Sequence, residues 1–212
     1  MAEYITVRQS AADEFVEKKS RFIGYCCQVT TESSALEFID SIKKKHYDAS
    51  HNVSAYILRE GGLMRFSDDG EPSGKAGIPV LDAMKKNNLT DTVVVATRYF
   101  GGTMLGGGGL IRAYSHTASI AIAAAEKVIR RECSLMRVES DYSLYGRISG
   151  LIPEGNGVID DTEFLERVII SFHIAPEDAV PLQRKLADAS NGQISAEEYG
   201  LEYYTFPYKE TL

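Results

Sequence analysis

The stretch TVVVATRYFGGTMLGGGGLIR, residues 92–112, decides the fold. Its opening run of Val93, Val94, Val95 and Ala96 has no polar alternation, which predicts a strand (Thr92–Phe100) buried on both faces. Six of the chain's 18 glycines then fall between Gly101 and Gly109. A helix is predicted over Leu110–Ile129, where Ala113, Ala118, Ala121, Ala123, Ala124 and Ala125 permit close approach to a sheet. Strand, glycine loop and helix in succession suit a backbone that takes positive φ or meets something closely. The same succession presents free N–H groups at a helix start, a natural anion site. Arg98 and Arg112 flank it. The spacing is not a dinucleotide fingerprint, because Ile111 stands where a third glycine is needed, and the Lys-Ser/Thr of a P-loop is absent. Three readings follow: a structural turn, a polyanion-binding loop, or a loop that handles a nucleotide in catalysis.

Upstream, Tyr4–Arg8, Ser20–Thr30 and Val53–Leu58 are predicted strands. A helix lies between the last two, with Ser34 and Glu37 at capping-box spacing and Asp40 and Lys44 as an exposed i,i+4 pair. Pro79–Lys86 has helical composition. Downstream, a boundary with a short linker is placed around Arg130-Arg131-Glu132, giving domains 1–133 and 134–212. The second part predicts a strand at Leu135–Tyr142 and a short helix at Tyr145–Ile152. A hairpin of Gly157–Ile159 and Phe164–Ile174 should turn at Asp160-Asp161-Thr162. Pro176-Glu177-Asp178 opens a second helix, Asn191-Gly192 closes it, and Gln193–Tyr204 is a strand. Pro181 predicts an irregular first turn. The order βαββαβ is the ferredoxin-like split βαβ unit, so the fold class is α+β with two domains.

The chain has 212 residues, 44% hydrophobic and 25% charged, with a formal net charge of −7. The balance is that of a globular protein, with no secretory signal and no run long enough to cross a membrane. Three cysteines, two of them adjacent, make no disulfide framework or zinc spacing, which predicts a reducing, cytoplasmic location. The charge divides unevenly. Residues 1–134 hold 17 basic and 16 acidic side chains, a net of +1; residues 135–212 hold 6 and 14, a net of −8. Acidity therefore does not argue against nucleic-acid binding by the first part.

A second cluster, FSDDGEPSGKAGIP at 66–79, crowds Asp68, Asp69 and Glu71 around Gly70 and Pro72. It suits a helix-capping turn, a functional surface loop or, with three carboxylates, a divalent cation, although it lacks the length of an EF-hand loop. His46 and His51 fall on a corner rather than one helical face, which argues against shared metal ligation. Lys18-Lys19-Ser20-Arg21 is a basic patch beside an aromatic strand.

Taken in order, Ser67-Asp68-Asp69-Gly70-Glu71-Pro72, Gly77-Ile78-Pro79 and Arg98-Tyr99-Phe100-Gly101-Gly102 through Leu105-Gly106 resemble the signature of the IMPACT/YigZ family. Lys19-Ser20-Arg21-Phe22, His51 and Ala113-Tyr114 agree, and the resemblance spans most of residues 15–130. It implies a first domain similar to the left-handed βαβ fold of elongation factor G domain IV, and a ferredoxin-like second similar to domain V. It also implies work on RNA or the ribosome. Eukaryotic members restrain a starvation-responsive initiation-factor kinase through an additional N-terminal domain; the signature here starts near residue 18, so that role is not carried over.

The resulting expectation is a translation-associated regulator without cofactor or metal. It would bind RNA or the ribosome through Arg98, Tyr99, Gly101, Gly102, Gly106, Gly108, Arg112, Lys19 and Arg21. His51, Ser67, Asp68, Asp69, Gly70, Glu71 and Pro72 would form a functional loop, with no catalytic residue assigned. The alternatives are a metal-dependent enzyme acting on a phosphate-containing or nucleotide substrate, and a protein-binding module whose acidic second domain meets a basic partner.

Overall fold

Thr92 through Arg98 is buried without interruption. The two-sided cover that such a run demands comes from a five-stranded sheet with helices on both faces. In the computed structural model, which describes residues 3–209, the elements are β1 (Glu3–Val7), β2 (Ala11–Glu17), β3 (Ser20–Gln28), α1 (Glu32–Lys45), β4 (His51–Ile57), β5 (Met64–Ser67), α2 (Gly77–Lys86), β6 (Thr92–Tyr99) and α3 (Gly107–Ala125). These are followed by β7 (Lys127–Ser140), α4 (Tyr142–Glu154), β8 (Val158–Phe164), β9 (Val168–Ile174), α5 (Pro176–Ala189) and β10 (Ala196–Pro207). The chain forms two compact units. Among the described residues Tyr4–Ile129 with Pro207–Lys209 is the first, and Arg130–Phe206 with Glu3 the second.

The first unit's sheet has the order β2-β3-β6-β4-β5, with every pairing antiparallel. Val94 and Ala96 of β6 face α2 and α3, packing with Val80, Met84, Tyr114, Ala118 and Ala121. Val93 and Val95 point the other way, to Ala35, Ile39 and Ile42 of α1. The alanines of α3 serve as anticipated: at Gly24 of β3 an added Cβ would stand 2.4 Å from the Thr117 carbonyl oxygen. Cys26 is buried and Cys27 half-buried, on opposite sheet faces, and burial pushes both thiols up.

Several sequence expectations are corrected. α3 ends at Ala125 rather than Ile129, because Glu126 takes φ +57° and Arg8 N–H donates to the Ala125 and Glu126 carbonyls. No linker follows; Val128 and Ile129 already belong to β7, a continuous strand that runs to Ser140. The N-cap of α1 is Thr31, which exchanges hydrogen bonds with Ser34, not Ser34 itself. The Asp40–Lys44 ion pair forms as expected, at 2.6 Å on the exposed side.

In the second unit β9 lies between β7 and β8, and β10 pairs with β7. Met136, Val138, Ile170 and Phe172 pack against Ile148 and Ile152 of α4 and Leu182 and Leu186 of α5. The Asp160-Asp161-Thr162 run is not a turn. It lies inside β8, where a register shift between Ile159 and Asp161 lets the Asp160 carboxylate meet His173 Nδ1 at 2.7 Å. The turn is instead at residues 165–167. α5 carries Pro181 without a break in its assignment. β8 is an edge strand with nearly every residue exposed, including Val158, Ile159 and Phe164.

Candidate functional site

The loops that follow β5 and β6 meet over the end of the first unit's sheet. The register places Phe22 of β3 and His51 of β4 directly opposite Arg98 of β6. The Arg98 side chain is only 6% exposed, so its charge requires a partner. Glu71 provides it: Oε1 accepts from Arg98 Nη1 at 2.6 Å and from the Tyr114 hydroxyl at 2.7 Å. Burial and the bond to Glu71 push the Tyr114 hydroxyl well up, which keeps it a donor. Arg98 Nη2 reaches Ser20 Oγ at 3.4 Å, and the guanidinium lies over both Phe22 and Phe100. Its Nε is buried with no acceptor.

The acidic loop is held largely by backbone donors. Asp68 accepts from the N–H groups of Gly74, Ala76 and Gly77, closing the loop and capping α2. Asp68→Ala should therefore lower stability by about 2 kcal/mol in urea denaturation; a change below about 0.5 kcal/mol would contradict the capping role. Asp69 accepts from Lys43 Nζ and Asn52 N–H, both at 2.7 Å. Burial alone would push its carboxyl up, but the Lys43 and Asn52 hydrogen bonds hold it below the usual carboxylate range. Ser67 Oγ accepts from Asp69 N–H. The Asp69 carbonyl lies 2.9 Å from His51 Nδ1, and since a carbonyl only accepts, Nδ1 carries the proton. The other ring nitrogen, Nε2, is left 3.8 Å from Glu71.

The glycine loop approaches from the other side. Gly101 N–H donates to Ser20 Oγ, and a Cβ on Gly101 would stand 2.0 Å from the Lys19 carbonyl carbon. Lys18 and Lys19 form the two-residue turn between β2 and β3, both at positive φ, where Asn-Gly is the favoured pair. Two lysines in that conformation store strain of the kind that gathers at functional surfaces. Gly106, at φ +74°, is the N-cap of α3, and no side chain caps the helix.

Between the two loops is a cavity of about 350 Å³ whose wall includes His51, Glu71, Arg98, Phe100, Met104 and Gly106. Gly70 and Pro72 line it as well. The acidic loop and the glycine loop thus share one cleft. Phe100 is exposed on it, whereas Tyr99 packs against the α1 side of the sheet, its hydroxyl bonded to His46 and Asp48. Arg112 lies on the exposed side of α3 beside a smaller depression with Phe15, Glu17 and His116. Arg21 is exposed and paired with Glu14 at 2.6 Å. Gly102 and Gly108 are exposed in the loop and in the first turn of α3. Sequence reasoning did not assign Lys75, whose Cε lies 4.0 Å from where a Gly107 Cβ would stand, nor the roles of Ser20 and Tyr114. Folding sets Lys75 beside the first turn of α3 and buries Ser20 and Tyr114 against Arg98 and Glu71, behind the wall of the cleft. Among the described residues no three His, Cys, Asp or Glu side chains form a metal-binding group, and no helix is long and apolar enough to cross a membrane.

Residues 18–122, which contain the entire cleft, match the Impact N-terminal domain; residues 138–193 match a domain of unknown function, DUF1949. The chain is 38% identical over 201 residues to the IMPACT family member YvyE of Bacillus subtilis, covering 94% of this chain and 93% of that one. It is 33% identical to an IMPACT family member of Thermus thermophilus, over 85% of this chain and 98% of that one. The Protein IMPACT homolog of Dictyostelium discoideum is 36% identical over 105 residues, 47% of this chain and 29% of that one. A crystal structure of a hypothetical protein superposes with a TM-score of 0.60 at 26% identity, over 94% of this chain and 98% of that one. With its cleft wholly inside the matched domain and relatives that align along nearly its whole length, the chain belongs to the IMPACT family.

Proposed function

We propose that the protein is a translation-associated regulatory factor that binds RNA, free or on the ribosome, through the loop face of its first unit. One observation carries this reading. α3 begins at Gly106–Gly109 with no side-chain cap and no acid in its first turn, while Lys75 and Arg112 stand beside that turn. A helix N-terminus is already the positive end of the dipole, so added cations there are unfavourable until an anion arrives. Consecutive glycines further weaken the helix start. Both costs are offset when backbone N–H groups and cations meet phosphate oxygens. Exposed Lys18 and Lys19 extend the cationic face, and Phe100 offers a stacking platform.

The carboxylates of Asp68 and Asp69 are engaged by backbone N–H groups. That engagement favours binding over metal-dependent hydrolysis. We read β3-α1-β4, whose strands flank β6, as the left-handed unit of elongation factor G domain IV. The β7-α4-β8-β9-α5-β10 succession is read as ferredoxin-like, similar to domain V, and the location as cytoplasmic.

Gly108→Glu tests the reading. The position is helical and exposed, and an added Cβ would meet only Arg112 Nη1 at 3.6 Å. A glutamate there should raise stability by about 1 kcal/mol through helix propensity and the dipole. It should also weaken binding to single-stranded RNA or ribosomes about 10-fold and flatten the dependence of log K on log salt. Unchanged affinity with an unchanged slope would retire the reading.

A further inference from the structure

The outer edge of the second unit's sheet is sorted by chemistry. β8 pairs with β9 and, among the described residues, with no other strand. Alternate N–H and C=O groups along its free side therefore point away from the sheet. The register divides its side chains. Ile159, Thr162 and Phe164 stand opposite Phe172, Ile170 and Val168, on the face that the helices cover. Phe164, 56% exposed, meets the rings of Tyr142 and Tyr145. The Tyr142 hydroxyl donates to the Leu165 carbonyl, which fixes an apolar ledge beside the free edge. Asp161 and Glu163 stand opposite Ser171 and Ile169, on the other face. Both are exposed, and among the described residues the nearest cation to either is Arg137, 3.8 Å from Glu163. Asp160 is engaged by His173, and Arg167 in the following turn is held by Glu139 and Asp141. One free edge thus presents carboxylates on one face and apolar side chains on the other.

We propose that the free edge of β8 takes up a basic peptide in extended conformation as an additional strand. Its Lys or Arg side chains would lie toward Asp161 and Glu163, and the apolar residues between them against Ile159, Phe164 and Tyr142. Successive side chains of a strand point to opposite faces, so the partner has to alternate basic with apolar residues. Main-chain hydrogen bonds supply an affinity that any extended peptide could share, and the cross-strand pairs supply the choice. Charge sets the sign of that choice. Residues 135–212 hold 6 basic and 14 acidic side chains, a net of −8, so a basic segment is drawn in and an acidic one repelled. The partner that fits is an unstructured tail or loop, about as long as the seven residues of β8. This site lies wholly in the second unit and does not depend on RNA binding by the first.

The test uses the full chain and a fluorescent peptide of about eight residues that alternates Lys with Val and Phe, blocked at both ends. Fluorescence anisotropy would compare it with a peptide of the same composition whose lysines form one block, and with one carrying Glu for Lys. Both companions are expected to bind about 10-fold more weakly or worse. Two further versions are N-methylated, one at the Lys amides and one at the apolar residues' amides. Only one of these sets faces β8 in a strand pair, so one version should lose about 10-fold in affinity and the other keep it. Amide resonances of residues 158–164 should shift and their hydrogen exchange slow. Phe164→Ala should weaken binding about 10-fold while the thermal transition stays in place. Asp161→Lys with Glu163→Lys should turn the preference to the Glu peptide. Equal binding of the blocked-lysine peptide, or of both N-methylated versions, would reduce the attraction to net charge and overturn the proposal. So would the absence of binding at millimolar peptide. Dimerisation of the peptide-free chain through residues 158–164 would assign the edge to a second copy instead.

Discussion

Arg98→Ala is expected to destabilise the first unit by about 4 kcal/mol, measured as a lowered urea midpoint. Its carboxylate partner, Glu71, has a side chain only 3% exposed and would keep Tyr114 as its nearest donor. Leaving a buried charge without its counter-charge costs far more than a surface ion pair contributes, because water cannot reach in to replace the lost partner. The guanidinium also lies over Phe22 and Phe100, so its loss exposes apolar surface at the end of β3. A double replacement, Arg98→Met with Glu71→Leu, should regain much of the loss by removing both desolvation penalties at similar volume. A single-variant loss below about 1 kcal/mol would show that the pair is hydrated and contributes little.

Gly101→Ala is the second large effect, about 3 kcal/mol or more. The new methyl group would stand 2.0 Å from both the carbon and the oxygen of the Lys19 carbonyl and 2.5 Å from Ser20 N. These are main-chain atoms of a turn already at positive φ, with no flexible side chain to swing aside. Accommodation requires separating the β2–β3 turn from the loop after β6, which breaks the Gly101 N–H to Ser20 Oγ bond. Amide exchange at Gly101 and at residues of the turn should accelerate together with the fall in melting temperature. Ser20→Ala, which removes the hydrogen bond without the clash, should cost only about 1 kcal/mol. Equal effects from the two variants would disprove the steric account.

The central strand, the helix that follows it and the family signature were legible because each depends on local composition. Val93–Ala96 has only one sensible burial, and the motifs occur in order along the chain. β2 and β5 were not legible. Ala11–Glu17 and Met64–Ser67 are exposed strands of the sheet's two edges, and neither alternates between apolar and polar residues strongly enough to be seen. The end of α3 was misplaced because alanine richness fades gradually, whereas the helix stops at one residue, Glu126, with a left-handed backbone. In the cleft, the sequence marked both loops but assigned Arg98 to phosphate contact on the strength of its charge. Its ion pair spans 27 residues to Glu71, and Tyr114 lies 43 residues from the same carboxylate. Separations of that kind carry no periodic signal. Asp68 illustrates the opposite case: one of the bland readings, a turn that caps the next helix, describes its bond to Gly77 N–H, while its bonds to Gly74 and Ala76 close the loop before it.

The exposed β8 strand gives the chain's acidity a colloidal meaning. An open edge with Val158, Ile159 and Phe164 in solvent is a template on which an identical strand could pair. Asp161 and Glu163 occupy the middle of that strand, so two copies brought edge to edge would bring four carboxylates together. Repulsion of that kind protects against self-templating without any partner. Neutralising these two with Asn and Gln should leave the fold in place and make light scattering grow with concentration.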